Sequence, residues 1–141
     1  FNMIYLTKEY KFCAAHRYWN DQWSDKKNKE IFGDDVKIHG HNYDLLVTVK
    51  GKINNDSGFI IDIKKLNKII SKHVISLFDH SQIEKDIDWF LDKQPSTENM
   101  VVYIWNKLTE EIELPAKLFS VRLQETSTIY SEYFGPEKSY E

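Results

Sequence analysis

The sequence predicts an α+β protein in which a four-stranded antiparallel sheet carries two helices on one face. Two stretches with strand character come first, two stretches with helical periodicity follow, and two further strand-like stretches come near the end of the chain. The predicted element order is therefore ββααββ. Runs of strands set apart from runs of helices are typical of antiparallel sheets with helices on one side, which is the architecture we expect here.

The first two strands frame a polar segment. Residues 4–15 are rich in β-forming side chains and predict the first strand. A short helix is predicted over Asp25–Phe32, and Gly33 should end it. The second strand, which Gly51 should end, is indicated by apolar side chains at every second position: Tyr43, Leu45, Val47 and Val49.

Two helices and two strands follow. Asp62 is placed as the N-cap of the first helix, and Ser96 lies in the segment that opens the second, which Pro115 closes. Strands are predicted at residues 118–125 and 129–134. Helical spacing relates the apolar residues Ile63, Leu66, Ile70, Val74 and Leu77 in the first helix, and Val101, Ile104, Trp105, Leu108 and Ile112 in the second.

Composition limits the class of protein. The chain has 141 residues, 41% of them hydrophobic, and a net charge of −3, so we expect one domain over residues 3–141, with residues 1–2 outside it, and no nucleic-acid partner. The single cysteine excludes an internal disulfide framework and suits a reducing compartment. No apolar stretch is long enough to span a membrane. We therefore expect a cytoplasmic protein that contacts no membrane.

Three histidines predict a metal site. His39 and His41 alternate with Gly40, so on an extended segment both imidazoles would lie on one face. His16 ends the first predicted strand, and pairing of the two strands could bring it beside them. Three imidazoles with a fourth position open are typical of catalytic zinc, whereas ordinary histidines at strand ends are the alternative.

Two further positions suggest chemistry. Asp79 and His80 follow the first predicted helix and could serve a common third group as a proton relay; the alternative is an ordinary surface pair. Glu125 continues the apolar face of its strand, which also carries Phe119, Val121 and Leu123. A carboxylate there needs a partner, and a ligand with two adjacent N–H donors would provide one; a salt bridge is the alternative.

Cys13, the only cysteine, lies three residues before His16. A regular strand places these two side chains on opposite faces. We therefore expect Cys13 to be a small buried hydrophobic residue that faces away from the zinc histidines, so that Cys13→Ser leaves activity nearly intact.

Six short blocks occur in a fixed order: F-C-A-A-H-R at 12–17, H-G-H-N-Y at 39–43, G-F-I-I-D at 58–62, F-D-H at 78–80, S-T-E-N at 96–99 and E-T at 125–126. Together they resemble the 6-pyruvoyl-tetrahydropterin synthases and the related 6-carboxytetrahydropterin synthases. The resemblance implies a tunnelling (T-) fold, with trimers paired into a homo-hexamer. It also implies Zn²⁺ on His16, His39 and His41, and conversion of 7,8-dihydroneopterin triphosphate with elimination of triphosphate.

The same resemblance assigns roles to other residues. Glu125 would hold the 2-amino and N3–H edge of the pterin, and Ser96 and Thr97 would lie on the substrate side. Asp79 and His80 would be one half of the proton machinery. Each of these assignments is an expectation for the structure to test.

One feature departs from the family pattern. The family's catalytic cysteine lies shortly before H-G-H, and four residues before His39 this chain has Asp35. Two alternatives follow from this difference. One is aldol-type cleavage of dihydroneopterin to 6-hydroxymethyl-dihydropterin, with Asp35 as the base; the other is a pterin-binding protein without turnover. Of the candidate proton acceptors, we expect His80 to matter more than Asp35.

Overall fold

The computed structural model describes residues 2–113 and 115–137, so residues 114 and 138–141 of the predicted domain lie outside the described part. The strands are β1 (Met3–His16), β2 (His39–Lys52), β3 (Ser81–Gln82), β4 (Lys117–Gln124) and β5 (Tyr130–Tyr133). The helices are α1 (Asp25–Phe32), α2 (Ile63–Ile70), α3 (Ser76–Phe78), α4 (Ile83–Asp86) and α5 (Thr97–Thr109). A π-helical turn, Ser71–Ile75, connects α2 to α3, and 3-10 turns cover Gly33–Val36 and Asp88–Phe90.

The sheet has five strands in the order β3-β1-β2-β4-β5. Strands β1, β2, β4 and β5 pair antiparallel, as predicted, but β3 adds to the edge of β1 in parallel. The predicted four-stranded antiparallel sheet is therefore wrong: the sheet is mixed and five-stranded. Strand β3 has only two residues, too few to show any periodicity in the sequence.

The register between β1 and β2 determines where the histidines lie. His16 is directly opposite His39, and Ala14 is opposite His41. Phe12, Ala14 and His16 are all buried, which places the even-numbered side chains of β1 on the covered face of the sheet. Because side chains alternate along a strand, His39 and His41 share that face with His16.

Helices α2 and α5 cover this face, and both begin at the predicted residues. The side chain of Asp62 accepts a hydrogen bond from the backbone N–H of Lys64, and that of Ser96 accepts one from Asn99. The core combines the covered face of the sheet with one side of each helix; its members include Leu45, Val47, Val121, Leu123, Leu66, Ile70, Ile104 and Leu108. Within the described ranges, no helix is long and apolar enough to cross a membrane.

A bulge in β4 corrects one part of the sequence interpretation. Val49 pairs with Leu118 and Thr48 with Ser120, so Phe119 is the extra residue. Its ring packs edge-on against exposed Tyr5, with 4.7 Å between ring centroids. Phe119 therefore lies on the face opposite Val121 and Leu123, and not with them as predicted.

Candidate active site

The three predicted histidines meet at one end of the sheet, where β1 ends and β2 begins. One ring nitrogen from each of His16, His39 and His41 lies within 4.8 Å of the others. The ring of His16 is 4.6 Å from that of His39 and 5.1 Å from that of His41, measured between centroids. The antiparallel register thus brings together a group that could hold a metal ion.

Backbone carbonyls orient two of the rings. Nδ1 of His16 is 2.7 Å from the carbonyl oxygen of Pro95, and Nδ1 of His39 is 2.8 Å from that of Lys37. A carbonyl oxygen only accepts, so Nδ1 must carry the proton and donate. Nε2 of each ring is then left with a lone pair, which is the form that binds a metal.

The Nε2 atoms of His16 and His41 are the observation that most favours a metal site here. Both atoms are buried, and neither forms a hydrogen bond with any residue in the described ranges. Oε1 of Glu125 is 3.2 Å from the first and 3.1 Å from the second, but neither contact has hydrogen-bond geometry. Leaving buried polar atoms without a partner is costly. Three neutral imidazoles suit zinc, so these residues fit the ion that the sequence implied.

Glu125 lies just beyond the end of β4, and its side chain is only 13% exposed. The contact with His16 lowers the pKa of Glu125, the charges of His41 and His16 lower it further, and burial opposes them. The low exposure agrees with the predicted place of Glu125 on the apolar face of its strand. Its environment differs from the prediction, because Oε1 already faces two imidazoles. Burial lowers the pKa of His41, which favours the neutral, metal-binding form of that ring.

Asp79 and His80 lie at the face of β1 that points away from the histidine cluster. Oδ2 of Asp79 is 3.0 Å from Nδ1 of His80, and Oδ1 accepts the backbone N–H of Cys13 at 3.0 Å. That backbone hydrogen bond is the main reason why the pKa of Asp79 is lowered. The two neighbours therefore contact each other directly, which the sequence analysis did not expect. The contact accompanies a left-handed φ of 63° at His80.

Cys13 faces away from the histidine cluster, as predicted, because it alternates with buried Phe12 and Ala14. It is not a core residue, however, since it is only half-buried. Its sulfur lies 3.8 Å from Nε2 of His80. The expectation of a small buried hydrophobic residue is therefore wrong, and the thiol belongs to a second cluster with Asp79 and His80.

The structure gives weaker support for a site role of the remaining predicted residues, Asp35, Ser96 and Thr97. Oδ1 of Asp35 is 3.8 Å from Nε2 of His39, but the carboxylate is 59% exposed. The hydroxyl of Ser96 caps α5. Thr97 is buried, and its hydroxyl is 2.8 Å from both Oε1 of Glu98 and the hydroxyl of Ser131. Both hydroxyls thus have partners within the chain.

Tyr43 lies beside the histidine cluster, although the sequence identified it only as a strand position and as the last residue of the H-G-H-N-Y block. It is fully buried, and its ring lies 5.6 Å from that of His41 and 6.4 Å from that of His16. Its hydroxyl has no hydrogen-bond partner in the described part of the chain. Burial, helped by the charge of Glu125, raises the pKa of Tyr43. Strand periodicity identified the position but carried no information about the hydroxyl.

The fold and these clusters define an α+β protein with a candidate catalytic metal centre and a separate carboxylate–imidazole pair. The sequence matches the family described as 6-pyruvoyl tetrahydropterin synthase over residues 5–136. The chain is a member of the 6-pyruvoyl tetrahydropterin synthase family, and the resemblance found in the six sequence blocks is confirmed.

Individual proteins that are similar to this chain carry the name of the same family. A 6-pyruvoyl tetrahydrobiopterin synthase of Drosophila melanogaster is 34% identical over 136 residues, covering 95% of this chain and 81% of the relative. The Poecilia reticulata enzyme of the same name is 37% identical, with 93% and 90% covered. The structure of the Caenorhabditis elegans 6-pyruvoyl tetrahydropterin synthase superposes with a TM-score of 0.89 at 32% identity, covering 96% of this chain and 97% of that one.

A more distant relative has a different name. The dihydroneopterin monophosphate aldolase of Pyrococcus furiosus is 28% identical over 114 residues, covering 81% of this chain and 82% of the relative. The similarity to this chain therefore extends to two named pterin activities.

Proposed function

We propose that the protein converts 7,8-dihydroneopterin triphosphate to 6-pyruvoyl-tetrahydropterin with elimination of triphosphate and with zinc as cofactor. The 6-carboxytetrahydropterin product is the variant of this proposal in which the same site yields a different side chain. The observation that carries the proposal is the convergence of three imidazoles next to Glu125, with two buried Nε2 atoms unpartnered. Relatives named as synthases support it.

His16, His39 and His41 would hold the zinc ion. When bound, the ion would polarise the substrate's side-chain hydroxyls and lower their pKa. The carbonyls of Pro95 and Lys37 would keep two of the rings in the tautomer that leaves Nε2 free. Because His16 is completely buried, this ligand in particular is rigidly positioned.

Glu125 would anchor the pterin ring. Its lowered pKa keeps the carboxylate ionised at neutral pH, so that it accepts hydrogen bonds from the 2-amino group and N3–H. Ser96 and Thr97 would frame the substrate pocket at the start of α5. The anchor would direct the pterin side chain towards the histidine cluster, since Oε1 lies 3.1 Å from Nε2 of His41.

Asp79 and His80 would move protons along the C1′–C2′ side chain of the substrate. Asp79 faces Nδ1 of His80, which fixes the proton there and leaves Nε2 as the atom that exchanges protons. The His80 side chain is 78% exposed, so it is accessible to a substrate. A positioned imidazole of this kind contributes about 10²–10⁴-fold to the rate of proton transfer.

The two clusters point to opposite faces of β1, and this supports the proposed homo-hexamer. Cys13, which contacts His80, and His16, which belongs to the metal cluster, are three residues apart on a regular strand. A substrate bound at the histidines of one chain would therefore meet the Asp79–His80 pair of a second copy. The complete site would lie between subunits.

Mixing two inactive variants tests this arrangement. His39→Ala removes a metal ligand and His80→Ala removes the relay, so we expect each variant alone to be inactive. When the two chains are co-expressed and assemble randomly, about a quarter of the sites would combine an intact metal cluster with an intact relay. Activity that returns only in the mixture supports the shared site. A mixture as inactive as its parents would contradict it, and a stable monomer in sedimentation would do the same.

Product analysis tests the reaction itself. Zinc-loaded protein is incubated with dihydroneopterin triphosphate, and the products are identified by mass spectrometry. We expect a 6-pyruvoyl product together with free triphosphate. Tight pterin binding without any product would show instead that the protein binds pterins without transforming them.

Aldol-type cleavage to 6-hydroxymethyl-dihydropterin is the second candidate function. It is favoured by the carboxylate of Asp35, 3.8 Å from Nε2 of His39, and by the aldolase relative. In this reaction Asp35 would act as the base that removes the side-chain hydroxyl proton. Detection of 6-hydroxymethyl-dihydropterin without triphosphate release would establish this second reaction and exclude the first.

A further inference from the structure

Three side chains with metal-binding atoms meet on the face of β1 that points away from the histidine cluster. Cys13, Asp79 and His80 each offer one ligand atom, and these atoms lie within 4.8 Å of one another. Sγ of Cys13 is 3.9 Å from Nδ1 of His80, and this nitrogen is 3.0 Å from Oδ2 of Asp79. Thiolate, imidazole and carboxylate are the side-chain groups that bind zinc in proteins. The cluster therefore has the composition of a metal site.

The distances between these atoms are close to those around a single zinc ion. Tetrahedral angles with ordinary zinc–ligand bonds place sulfur about 3.5–3.6 Å from nitrogen, and nitrogen about 3.3–3.4 Å from oxygen. The observed separations of 3.9 Å and 3.0 Å differ from these values by only about 0.4 Å. The His80 side chain is 78% exposed and free to rotate by the small amount that is needed.

Backbone hydrogen bonds hold the three residues together. The N–H of His80 donates to the carbonyl of Cys13 at 2.6 Å, and the N–H of Cys13 donates to Oδ1 of Asp79 at 3.0 Å. Next to these bonds, β3 pairs with β1, with Ser81 opposite Ala14. Two segments that are 66 residues apart in sequence are thus fixed to each other, so the ligands do not have to be assembled when an ion binds.

An ion from solution has access to the cluster. An open pocket of about 410 Å³ borders Cys13 and His80, and it leaves room for a water molecule as a fourth ligand. The Asp79 side chain is 37% exposed. The backbone hydrogen bond from Cys13 is the main reason why the pKa of Asp79 is lowered, so this ligand is a carboxylate at neutral pH.

We propose that Cys13, Asp79 and His80 form a second metal site, for a thiophilic divalent cation such as Zn²⁺, and that an ion bound there blocks proton transfer by His80. The metal site itself follows from the cluster alone, whereas its inhibitory effect rests on the proposed function. The thiolate distinguishes this site from the three imidazoles of the histidine cluster, and it favours zinc over Mg²⁺ or Ca²⁺. The site would make the protein sensitive to an excess of zinc.

Metal binding and proton transfer exclude each other at His80. In the proposed relay the contact with Asp79 keeps a proton on Nδ1, and Nε2 exchanges protons. An ion that binds Nδ1 displaces this proton, so a neutral ring carries its proton on Nε2, which can then no longer accept one. The thiol of Cys13 releases its proton to solvent when the sulfur binds the ion, and neither an oxidant nor a reductant is needed.

Cobalt(II) tests the site selectively, because the chain has a single cysteine. Chelator-treated protein is titrated with Co²⁺ under reducing conditions, and its absorption in the near ultraviolet is followed. Imidazoles alone give no thiolate-to-cobalt charge-transfer band, so such a band arises only at Cys13. We expect the band to develop as binding reaches about two cobalt ions per chain, and an excess of Zn²⁺ to remove it.

Variants of the other two ligands distinguish a built site from an exposed thiol that binds cobalt alone. We expect His80→Gln to raise the Kd of the cobalt ion that gives the band at least about tenfold, and Asp79→Asn to raise it by less. His39→Ala, which changes only the histidine cluster, is the control and should keep the band. A wild-type protein without the band, or equal affinities in wild type and His80→Gln, would overturn the site.

Zinc inhibition tests the effect on the reaction. Protein with about one zinc per chain is assayed at rising Zn²⁺ concentration, and we expect turnover to fall at least about tenfold as the second ion binds. Over the same range, Cys13→Ser should keep the rate that it shows without added zinc. An active wild-type protein that forms the cobalt band but is not inhibited by zinc would overturn the inhibitory role.

The two measurements fail separately. Absence of turnover in the wild-type protein before any excess zinc is added would refute the proposed function. The cobalt titration does not depend on turnover, so it would still decide whether Cys13, Asp79 and His80 bind a metal ion.

Discussion

The two clusters on either side of β1 differ in how the chain brings them together. The histidine cluster lies on the covered face and depends on one antiparallel pairing, in which His16 is opposite His39. The cluster of Cys13, Asp79 and His80 lies on the other face and depends on β3 and on a residue with a left-handed backbone. A site made by strand register can be predicted from alternation, whereas a site made by a distant loop cannot.

The clusters also differ in their access to solvent. His16 is completely buried and its Nε2 has no hydrogen-bond partner within residues 2–113 and 115–137, so this cluster could hold a metal ion out of contact with bulk water. The His80 side chain is 78% exposed, which suits the proton transfer that we propose for it. If the second cluster serves a substrate bound to another subunit, assembly would cover the side chains that are exposed in the single chain.

The largest effect that we expect comes from the metal cluster. His39→Ala should remove a metal ligand, so that metal and activity are lost. Because the His39 side chain is 28% exposed, the fold should be kept. We expect metal content to fall from about one zinc per chain and activity to fall by at least about a hundredfold. Atomic absorption measures the first, turnover the second, and circular dichroism checks the fold.

His73→Ala is the matched control for this experiment. His73 lies in the π-helical turn and faces Glu111 at 3.7 Å, outside both clusters, so its loss should change neither metal content nor activity. Full retention of metal by His39→Ala would show that this histidine is not a ligand. The interpretation of the histidine cluster as a metal site, in contrast to the second cluster, would then be wrong.

The next effect concerns Glu125, the carboxylate that faces the histidine cluster and that we propose as the pterin anchor. Glu125→Gln replaces an acceptor of two N–H groups with a side chain that can offer only one carbonyl oxygen. We expect the Kd for the pterin, measured by titration calorimetry, to rise at least about tenfold, because a charge-assisted hydrogen-bond pair is lost. Stability should change little.

Glu132→Gln is the control for this charge change, since Glu132 is exposed on β5. An unchanged pterin affinity in Glu125→Gln would mean that this carboxylate serves only its imidazole neighbours, His16 and His41. The lowered pKa of Glu125 would then reflect a structural ion pair and not a prepared anchor.

Much of the fold could be predicted from the sequence, because its signals are local. Alternation in β2, the N-cap Asp62, the start of α5 in the segment that contains Ser96, and the short helix at Asp25–Phe32 all depend on neighbours along the chain, and each is confirmed. The histidine cluster follows from the same alternation. The packing of Ser96 and Thr97 within the chain has no comparable signal.

The parts that could not be predicted depend on contacts that local patterns do not encode. Strand β3 has two residues and forms only because β1 offers an edge. The bulge at Phe119 moves one side chain to the other face, which no alternation rule anticipates. The contact between Cys13 and His80 needs both β3 and the φ of 63° at His80. Sequence patterns predicted the face on which Cys13 lies correctly but its burial wrongly.

A smaller effect separates the two candidate proton acceptors. Asp35 is 59% exposed and reaches only to 3.8 Å from Nε2 of His39, so we expect Asp35→Asn to lower turnover by less than about tenfold. His80→Ala should lower it by about a hundredfold or more. If Asp35→Asn has the larger effect, or if Asp35→Cys greatly raises triphosphate release, the native protein is a poor synthase and the cleavage reaction becomes the better assignment.

The smallest effect that we expect is on stability and lies in the second cluster. His80 has a φ of 63°, a conformation that costs a residue with a Cβ about 1–2 kcal/mol and costs glycine almost nothing. Glycine also raises the conformational entropy of the unfolded chain, which reduces this advantage in stability by about 0.4–1 kcal/mol. Since His80→Gly and His80→Ala both remove the imidazole, we expect the glycine variant to be more stable by about 0.5–1 kcal/mol in urea denaturation. At Lys68, an exposed position in α2, the same pair of variants should show the opposite order, because glycine weakens a helix by about 1 kcal/mol relative to alanine. Equal stabilities of the two His80 variants would mean that the loop relaxes out of the left-handed conformation once the imidazole is gone, and that the contacts to Cys13 and Asp79 are what impose it.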